Sequence, residues 1–269
     1  MNQPIGFLDS GVGGLTVVKE MQKQLPKESF IYIGDNARCP YGPRSSEEIA
    51  RFTMQLVGFL LKKNIKLLVI ACNTATAVCF EHLQAELDIP VVGMIDPGAR
   101  GAMRMTTKQG VGIIGTEATI VSKQYQNALT QKNPQLRIHS LACPSFVNLV
   151  ESGEIKSAVA KKTVAKTLLP LKSRQLDTLI LGCTHFPLLS DLIQKYMGEE
   201  VALVNPGQEA IGEVSFYLDR LKLNDTGSKK PSAQFYTTGS VKLFNYIAYE
   251  WLGEQISANY ITLEALEEK

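Results

Sequence analysis

No Cys-x-x-Cys pair occurs in this chain of 269 residues, although it carries five cysteines, Cys39, Cys72, Cys79, Cys143 and Cys183. The odd count and the spacings suggest neither a disulfide framework nor a zinc ribbon. The longest apolar stretch lies around residues 67–71. It is far short of the roughly 18 residues that a membrane span needs. The N-terminus lacks a charged segment followed by an apolar one, so no signal peptide is read. Nor is there an excess of charge of one sign. Lys+Arg 28 against Asp+Glu 26 leaves +2, and no basic stripe runs along the chain. That speaks against a protein built to grip nucleic-acid backbone. What remains is a globular soluble composition, 45% hydrophobic, 20% charged and 7% aromatic. Such a chain can bury a sizeable core as one large domain or two compact ones, without metals or disulfides. The expected setting is the cytoplasm, with the thiols free.

Short apolar runs alternate with longer amphipathic stretches. Residues 5–8, 30–33, 67–71, 91–94, 112–114, 138–141, 179–181 and 202–204 read as buried strands. Helical patterns cover 15–24, 46–63, 75–87, 120–131, 155–169 and 188–197, and Ser45 or Ser46 followed by Glu48 reads as an N-cap. This rhythm predicts an α/β protein whose parallel sheets are covered by helices on both faces. A weak internal repeat refines the prediction. LLVIACNTAT (67–76) is matched by TLILGCTHFP (178–187), and IGFLDSGVGG (5–14) by VGIIGTEAT (111–119). Two related lobes are therefore expected, residues 1–95 with Cys72 and 96–206 with Cys183, joined by a crossover near 96–108. The segment 207–269 is expected to pack back onto the first lobe, with a polar loop at 223–233.

Ligands of open α/β sheets bind beyond the carboxyl ends of the strands. Both repeat motifs place a cysteine there, between an apolar strand and a helix. A thiol at a helix N-terminus is expected to have a lowered pKa. Asn73 and Thr74 after Cys72, and Thr184 and His185 after Cys183, offer cradles for carboxylates. His185 stands where it can exchange a proton with Cys183, and Asp9, ending the first strand, where it can serve Cys72. Cys39, Cys79 and Cys143 read as packing or loop residues. His82 and His139 read as surface or packing residues.

The turn DSGVGGLT (9–16) has neither phosphate-loop pattern nor a suitably placed lysine. It reads as a tight strand-to-helix turn with exposed N–H groups suited to a carboxylate as well as to phosphate. RCPYGPR (38–44) reads from its residues alone as a rigid turn, with Tyr41 and Gly42 as possible pocket residues.

Two thiols facing one carboxylate site suit the inversion of a stereocentre. One base removes the proton from one face while the other, already protonated, delivers a proton from behind. No flavin, nicotinamide or pyridoxal site is read, so no cofactor is expected. The alternatives left open are a two-lobed carboxylate-binding module without catalysis, and a zinc or redox site built on Cys72, Cys183 and His185.

The motifs IGFLDSGVGGLTV, GDNARCPYGPR, LLVIACNTATA, SLACPSFVNLVESGE and TLILGCTHFPLL occur in an order that resembles the glutamate racemase family across most of the chain. The resemblance implies cofactor-independent interconversion of L- and D-glutamate in the cleft between two α/β lobes, supplying D-glutamate for peptidoglycan. It implies Cys72 and Cys183 as the bases, assisted by Asp9 and His185, with Glu151 near the site. It further implies that Asp9, Ser10, Tyr41, Gly42, Asn73, Thr74, Thr184 and His185 hold the substrate. A racemase of a related substrate, aspartate or a hydantoin, is the close alternative. Asn36, Phe186 and Asn205 stand where the family more often has Thr, Tyr and Asp, which bears on rim contacts and packing. The chain starts almost at its first strand, as in the members that are homodimers without precursor regulation. A homodimer acting on a small molecule, with no nucleic-acid or membrane partner, is therefore expected.

Overall fold

The computed structural model describes residues 3–226 and 230–267, so positions 227–229 of the expected polar loop lie outside the described residues. The first half alternates β1 (Ile5–Asp9), α1 (Leu15–Gln24), β2 (Phe30–Gly34), α2 (Ser46–Lys62), β3 (Leu67–Ile70), α3 (Asn73–Glu86) and β4 (Val91–Val92). There follow α4 (Ile95–Met105), β5 (Gly110–Gly115), α5 (Glu117–Val121), α6 (Gln124–Lys132), β6 (Arg137–Ala142), α7 (Pro144–Glu151) and α8 (Ala158–Lys172). Then come β7 (Thr178–Gly182), a 3-10 turn (Phe186–Leu189), α9 (Ser190–Met197), β8 (Ala202–Val204) and α10 (Pro206–Leu221). The chain closes with β9 (Ala233–Thr237), α11 (Val241–Leu252), β10 (Ala258–Tyr260) and α12 (Leu263–Glu267).

The strands form two sheets, ordered β10-β9-β2-β1-β3-β4 and β6-β5-β7-β8, with every ladder parallel. Their sequences read as unbroken apolar runs because both faces are covered. Ile5 and Phe7 of β1 pack beneath α1, α10 and α11, whereas Leu8 packs with α2 and α3 on the opposite face. The second sheet does the same, with Val111 and Ile113 facing α4 and α6 and Ile114 facing α7, α8 and α9. This is the expected two-lobed α/β fold. The order β2-β1-β3-β4 is repeated by β6-β5-β7-β8, which gives the internal repeat a structural counterpart. In each lobe the chain reverses direction across the sheet beside its first strand. The carboxyl ends of β1 and β3, and of β5 and β7, therefore border a crevice.

Local signals account for several boundaries. Ser45 and Glu48 form a capping box that starts α2. One expectation fails and one helix goes unread, each for an identifiable reason. The pattern at 120–131 is two helices rather than one, because Lys123 takes a left-handed conformation, φ 57°. The crossover near 96–108 is largely the helix α4. Its Gly98 and Gly101 conceal it from propensity reasoning, yet they are what its packing requires. A Cβ on Gly101 would come within 2.9 Å of Glu209 and Val204, and one on Gly98 within 3.1 Å of Pro206 and Tyr125. No helix among the described residues is long and apolar enough to cross a membrane.

Candidate active site

β1 and β3 are hydrogen-bonded neighbours, so Asp9 and Cys72 emerge side by side at their carboxyl ends. Cys72 is the N-cap of α3. Its sulfur accepts from the Ala75 N–H at 3.5 Å, the place a serine or aspartate oxygen usually takes, and donates to Ser10 Oγ at 3.7 Å. The expectation of a lowered pKa is reversed here. Burial, with the Asp9 carboxylate behind it, pushes the Cys72 thiol up to about 12 against the opposing hydrogen bonds. Desolvation outweighs the helix terminus, and Cys72 rests as a neutral thiol.

The other lobe is arranged differently. Cys183 follows β7, and its sulfur lies 3.6 Å from His185 Nδ1, whose Nε2 lies 2.6 Å from Glu151 Oε1. Burial opposes a charged imidazole. The hydrogen bonds and charges of Cys183 and Glu151 prevail and raise His185 to about 10. Near neutral pH an imidazolium therefore stands against Cys183, and the Trp251 ring meets it edge-on at 6.3 Å. The two thiols thus differ in their surroundings, Cys72 kept neutral by burial and Cys183 facing a positive charge.

Ser10, Tyr41, Gly42, Cys72, Asn73, Thr74, Cys183, Thr184 and His185 line one pocket between the sheets, with Pro40, Thr116 and Val147. Asp9 lies behind this wall, fully buried. Its carboxylate accepts from the Gly11 N–H at 3.0 Å and from Thr184 Oγ1 of the other lobe at 3.4 Å. Burial raises its pKa. The hydrogen bonds of Asp9 thus run to its own turn and to Thr184, while its field acts on Cys72.

The glycine-rich turn is not the open N–H cradle expected of it. Residues 10–15 are buried, Gly11 N–H is spent on Asp9, and the N–H groups of Leu15 and Thr16 close the turn on Val12 and Gly13. The turn acts as a saddle for the Cys183 loop. A Cβ on Gly13 would collide with Thr184 Oγ1 and lie 2.7–2.8 Å from the His185 ring. Thr16, which the sequence did not single out, donates to the Thr184 carbonyl at 2.9 Å. Gly13→Ala is expected to lower kcat/KM about 10²-fold by displacing the Thr184–His185 segment. Far-ultraviolet circular dichroism should show the fold retained. Activity within twofold of the unmodified protein would contradict the close fit.

Further side chains reach the site across the lobes. Tyr125 donates to Asn73 Oδ1 at 2.7 Å, so the amide NH2 is what Asn73 can offer a ligand. Thr74, Thr116 and Thr119 share hydroxyl contacts of 2.9–3.2 Å. Thr116 went unnoticed in the sequence, although the repeat alignment sets it beside Ser10. The 38–44 segment is more than a rigid turn, since Pro40, Tyr41 and Gly42 all reach the pocket.

The remaining cysteines divide as their neighbourhoods dictate. Cys79 is buried on α3, Cys39 is half-buried, and Cys143 is the buried N-cap of α7 rather than a loop residue. His82 is exposed and His139 half-buried. Asn36 accepts from Thr237 Oγ1, Phe186 packs against Phe146, and Asn205 caps α10. None of these three lines the pocket. Among the described residues, no group of three or more His, Cys, Asp or Glu side chains is arranged to hold a metal ion.

Residues 5–214 match the Asp/Glu/Hydantoin racemase family. A glutamate racemase of Listeria monocytogenes serotype 4a is 53% identical over 252 residues, covering 94% of this chain and 95% of that protein. The crystal structure of glutamate racemase isoform RacE1 from Bacillus anthracis superposes with a TM-score of 0.94 at 48% identity, covering 97% of this chain and 98% of that one. That of the Francisella tularensis glutamate racemase in complex with D-glutamate gives 0.91 at 33% identity, covering 98% and 99%.

Proposed function

The chain belongs to the Asp/Glu/Hydantoin racemase family, and we propose that it interconverts L- and D-glutamate by passing the Cα proton between the thiols of Cys72 and Cys183. The observation that carries this reading is the pairing of the two sulfurs at one pocket, each from a different sheet and each with different charged neighbours.

In one direction Cys183 acts as the base. The Cα–H bond breaks, an S–H bond forms on Cys183, and the electron pair is spread from Cα into the substrate carboxylate. Cys72 then gives up its S–H proton to the opposite face of Cα, and the inverted amino acid leaves. Ala75 N–H and Ser10 Oγ are in place to hold the thiolate left on Cys72. The reverse reaction exchanges the roles. The α-proton of an amino acid is very weakly acidic, so the carboxylate must be held by donors in a dry site. Ser10, Asn73, Thr74 and Thr184 supply hydroxyl and amide groups there, and all four are buried. No step calls on a cofactor. The product would serve peptidoglycan precursor synthesis in the cytoplasm. A homodimer is part of the same reading, and sedimentation equilibrium would check it against a 29.6 kDa protomer.

Incubation in D2O tests the reaction directly. With either enantiomer of glutamate, the product enantiomer should carry deuterium at Cα before the remaining substrate does, because each thiol exchanges with solvent between turnovers. Aspartate in place of glutamate should react at least tenfold more slowly. Loss of optical rotation from aspartate or a hydantoin but not from glutamate would overturn the substrate assignment. Tight glutamate binding without exchange would overturn the catalytic one.

A further inference from the structure

Tyr41 faces the pocket, yet its hydroxyl is already committed. It donates to Asp35 Oδ2 at 2.6 Å. A phenol has one proton to give, and a carboxylate can only accept, so a Tyr41 hydroxyl bound to Asp35 has nothing to offer a substrate carboxylate. What Tyr41 contributes to the pocket is its ring and its backbone.

Asp35 is built as an anchor. It follows β2, is fully buried, and gathers three donors on its two oxygens. Besides Tyr41 these are Arg38 Nε at 2.7 Å on Oδ2 and Thr238 Oγ1 at 2.8 Å on Oδ1. Its carbonyl accepts from the N–H groups of Arg38 and Cys39, each at 3.1 Å. Arg38 lies over the Phe52 ring at 4.1 Å, and the same ring packs against Tyr41. Thr238 belongs to the C-terminal part of the chain, after β9, and also accepts from the Ala37 N–H at 2.9 Å. At the far end of the wall, the Gly42 carbonyl accepts from the Ala118 N–H of the other lobe at 3.1 Å, and Gly42 presses on Thr116. The Pro40–Gly42 wall is thus pinned at Tyr41 by a carboxylate and at Gly42 by a backbone bond.

We propose that Asp35 is a positioning residue for substrate recognition, which holds the Tyr41 hydroxyl and thereby fixes the Pro40–Gly42 wall, with Thr238 tying that wall to the C-terminal segment. The proposal rests on the reading of this pocket as the glutamate site. Neither Asp35 nor Thr238 lines the pocket. Their effect therefore belongs to substrate affinity rather than to proton transfer.

A double-mutant cycle separates this from the alternatives. Tyr41→Phe, Asp35→Asn and the pair together are assayed for kcat and KM with both glutamate enantiomers, with urea unfolding run in parallel. Each single variant should raise KM about five- to tenfold and leave kcat within about twofold, the scale of one lost hydrogen bond. The pair should be no worse than the more severe single variant, because Tyr41→Phe removes, and Asp35→Asn weakens, the same interaction. Thr238→Val should raise KM in the same sense by a smaller factor. It also takes the place of Asp35→Asn in the cycle with Tyr41→Phe if Asp35→Asn does not fold. KM factors that multiply in the pair would overturn the proposal, since the Tyr41 hydroxyl would then act on the substrate itself. So would lowered stability with KM unmoved, which would make the network structural only. Failure of the unmodified protein to racemise glutamate would instead sink the proposed function, which distinguishes the two.

Discussion

Replacing either Cys72 or Cys183 with alanine should lower kcat/KM for both glutamate enantiomers by about 10³-fold, within the range that a positioned general acid or base contributes. Both directions should suffer because, in the proposed mechanism, each turnover uses one thiol as base and the other as acid. The Cys72→Ala/Cys183→Ala pair should be little worse than either single change, since the two groups act as a unit. The variants should nevertheless differ from one another. In Cys72→Ala the remaining thiol lies 3.6 Å from the raised imidazole of His185. It can still remove a Cα proton from one enantiomer and return a deuteron to the same face. Deuterium exchange without inversion is therefore expected for that enantiomer alone. In Cys183→Ala the remaining thiol is the one that burial and Asp9 push up to about 12. Its exchange, of the opposite enantiomer, should be slower. Proton NMR of the Cα signal in D2O reads both rates. Normal racemisation by either variant would remove the two-base mechanism, and exchange of both enantiomers by one variant would remove the assignment of one thiol to each face.

Glu151→Gln is the second large effect, and it is read in the pH profile. His185 is raised to about 10 by its bonds to Cys183 and Glu151, in spite of burial. If the imidazolium supports the Cys183 thiolate, kcat/KM should fall as pH rises through about 10, where the positive charge is lost. Neutralising Glu151 removes one of the two partners that hold the proton. The alkaline limb should then move down by about one to two units, each unit being 1.36 kcal/mol of differential interaction. At pH 9 the variant should be about 2- to 10-fold slower, and near pH 6 much closer to the unmodified protein. The sign of the stability linkage is the same. The folded-state pKa lies above the ordinary 6.5, so the contribution is fully present below 6.5 and is lost as pH rises through about 10. Urea unfolding at pH 6 and pH 10 should show a smaller pH effect in Glu151→Gln. An alkaline limb that does not move would detach Glu151 from the function of His185.

These two effects arise from contacts of very different legibility. Cys72 and Cys183 could be found in the sequence because each sits at a junction whose position is encoded locally: an apolar strand, a small residue, then a helix start. The duplication of that junction marked them out from Cys39, Cys79 and Cys143. The strands were legible for the same reason, since sheets covered on both faces demand continuous apolar runs. The helix α4 was not, because glycines chosen for close contact with α10 and Val204 weaken the very pattern that reveals a helix.

The sequence by itself determined the two-lobed α/β plan, the two thiols at the strand ends, and the family to which the chain belongs. All of these depend on residue types within a few positions of one another. The tertiary structure decided the state of Cys72, which charged group stands against Cys183, and what holds the pocket in shape. The lowered pKa expected of Cys72 from its helix terminus is overturned by burial and by Asp9, which only the sheet order brings alongside. Thr16 reaches Thr184 across a separation of 168 residues, and Asp35 reaches Thr238 across 203. Desolvation and long-range hydrogen bonds depend on which segments exclude water from which groups, and no local pattern in the chain records that.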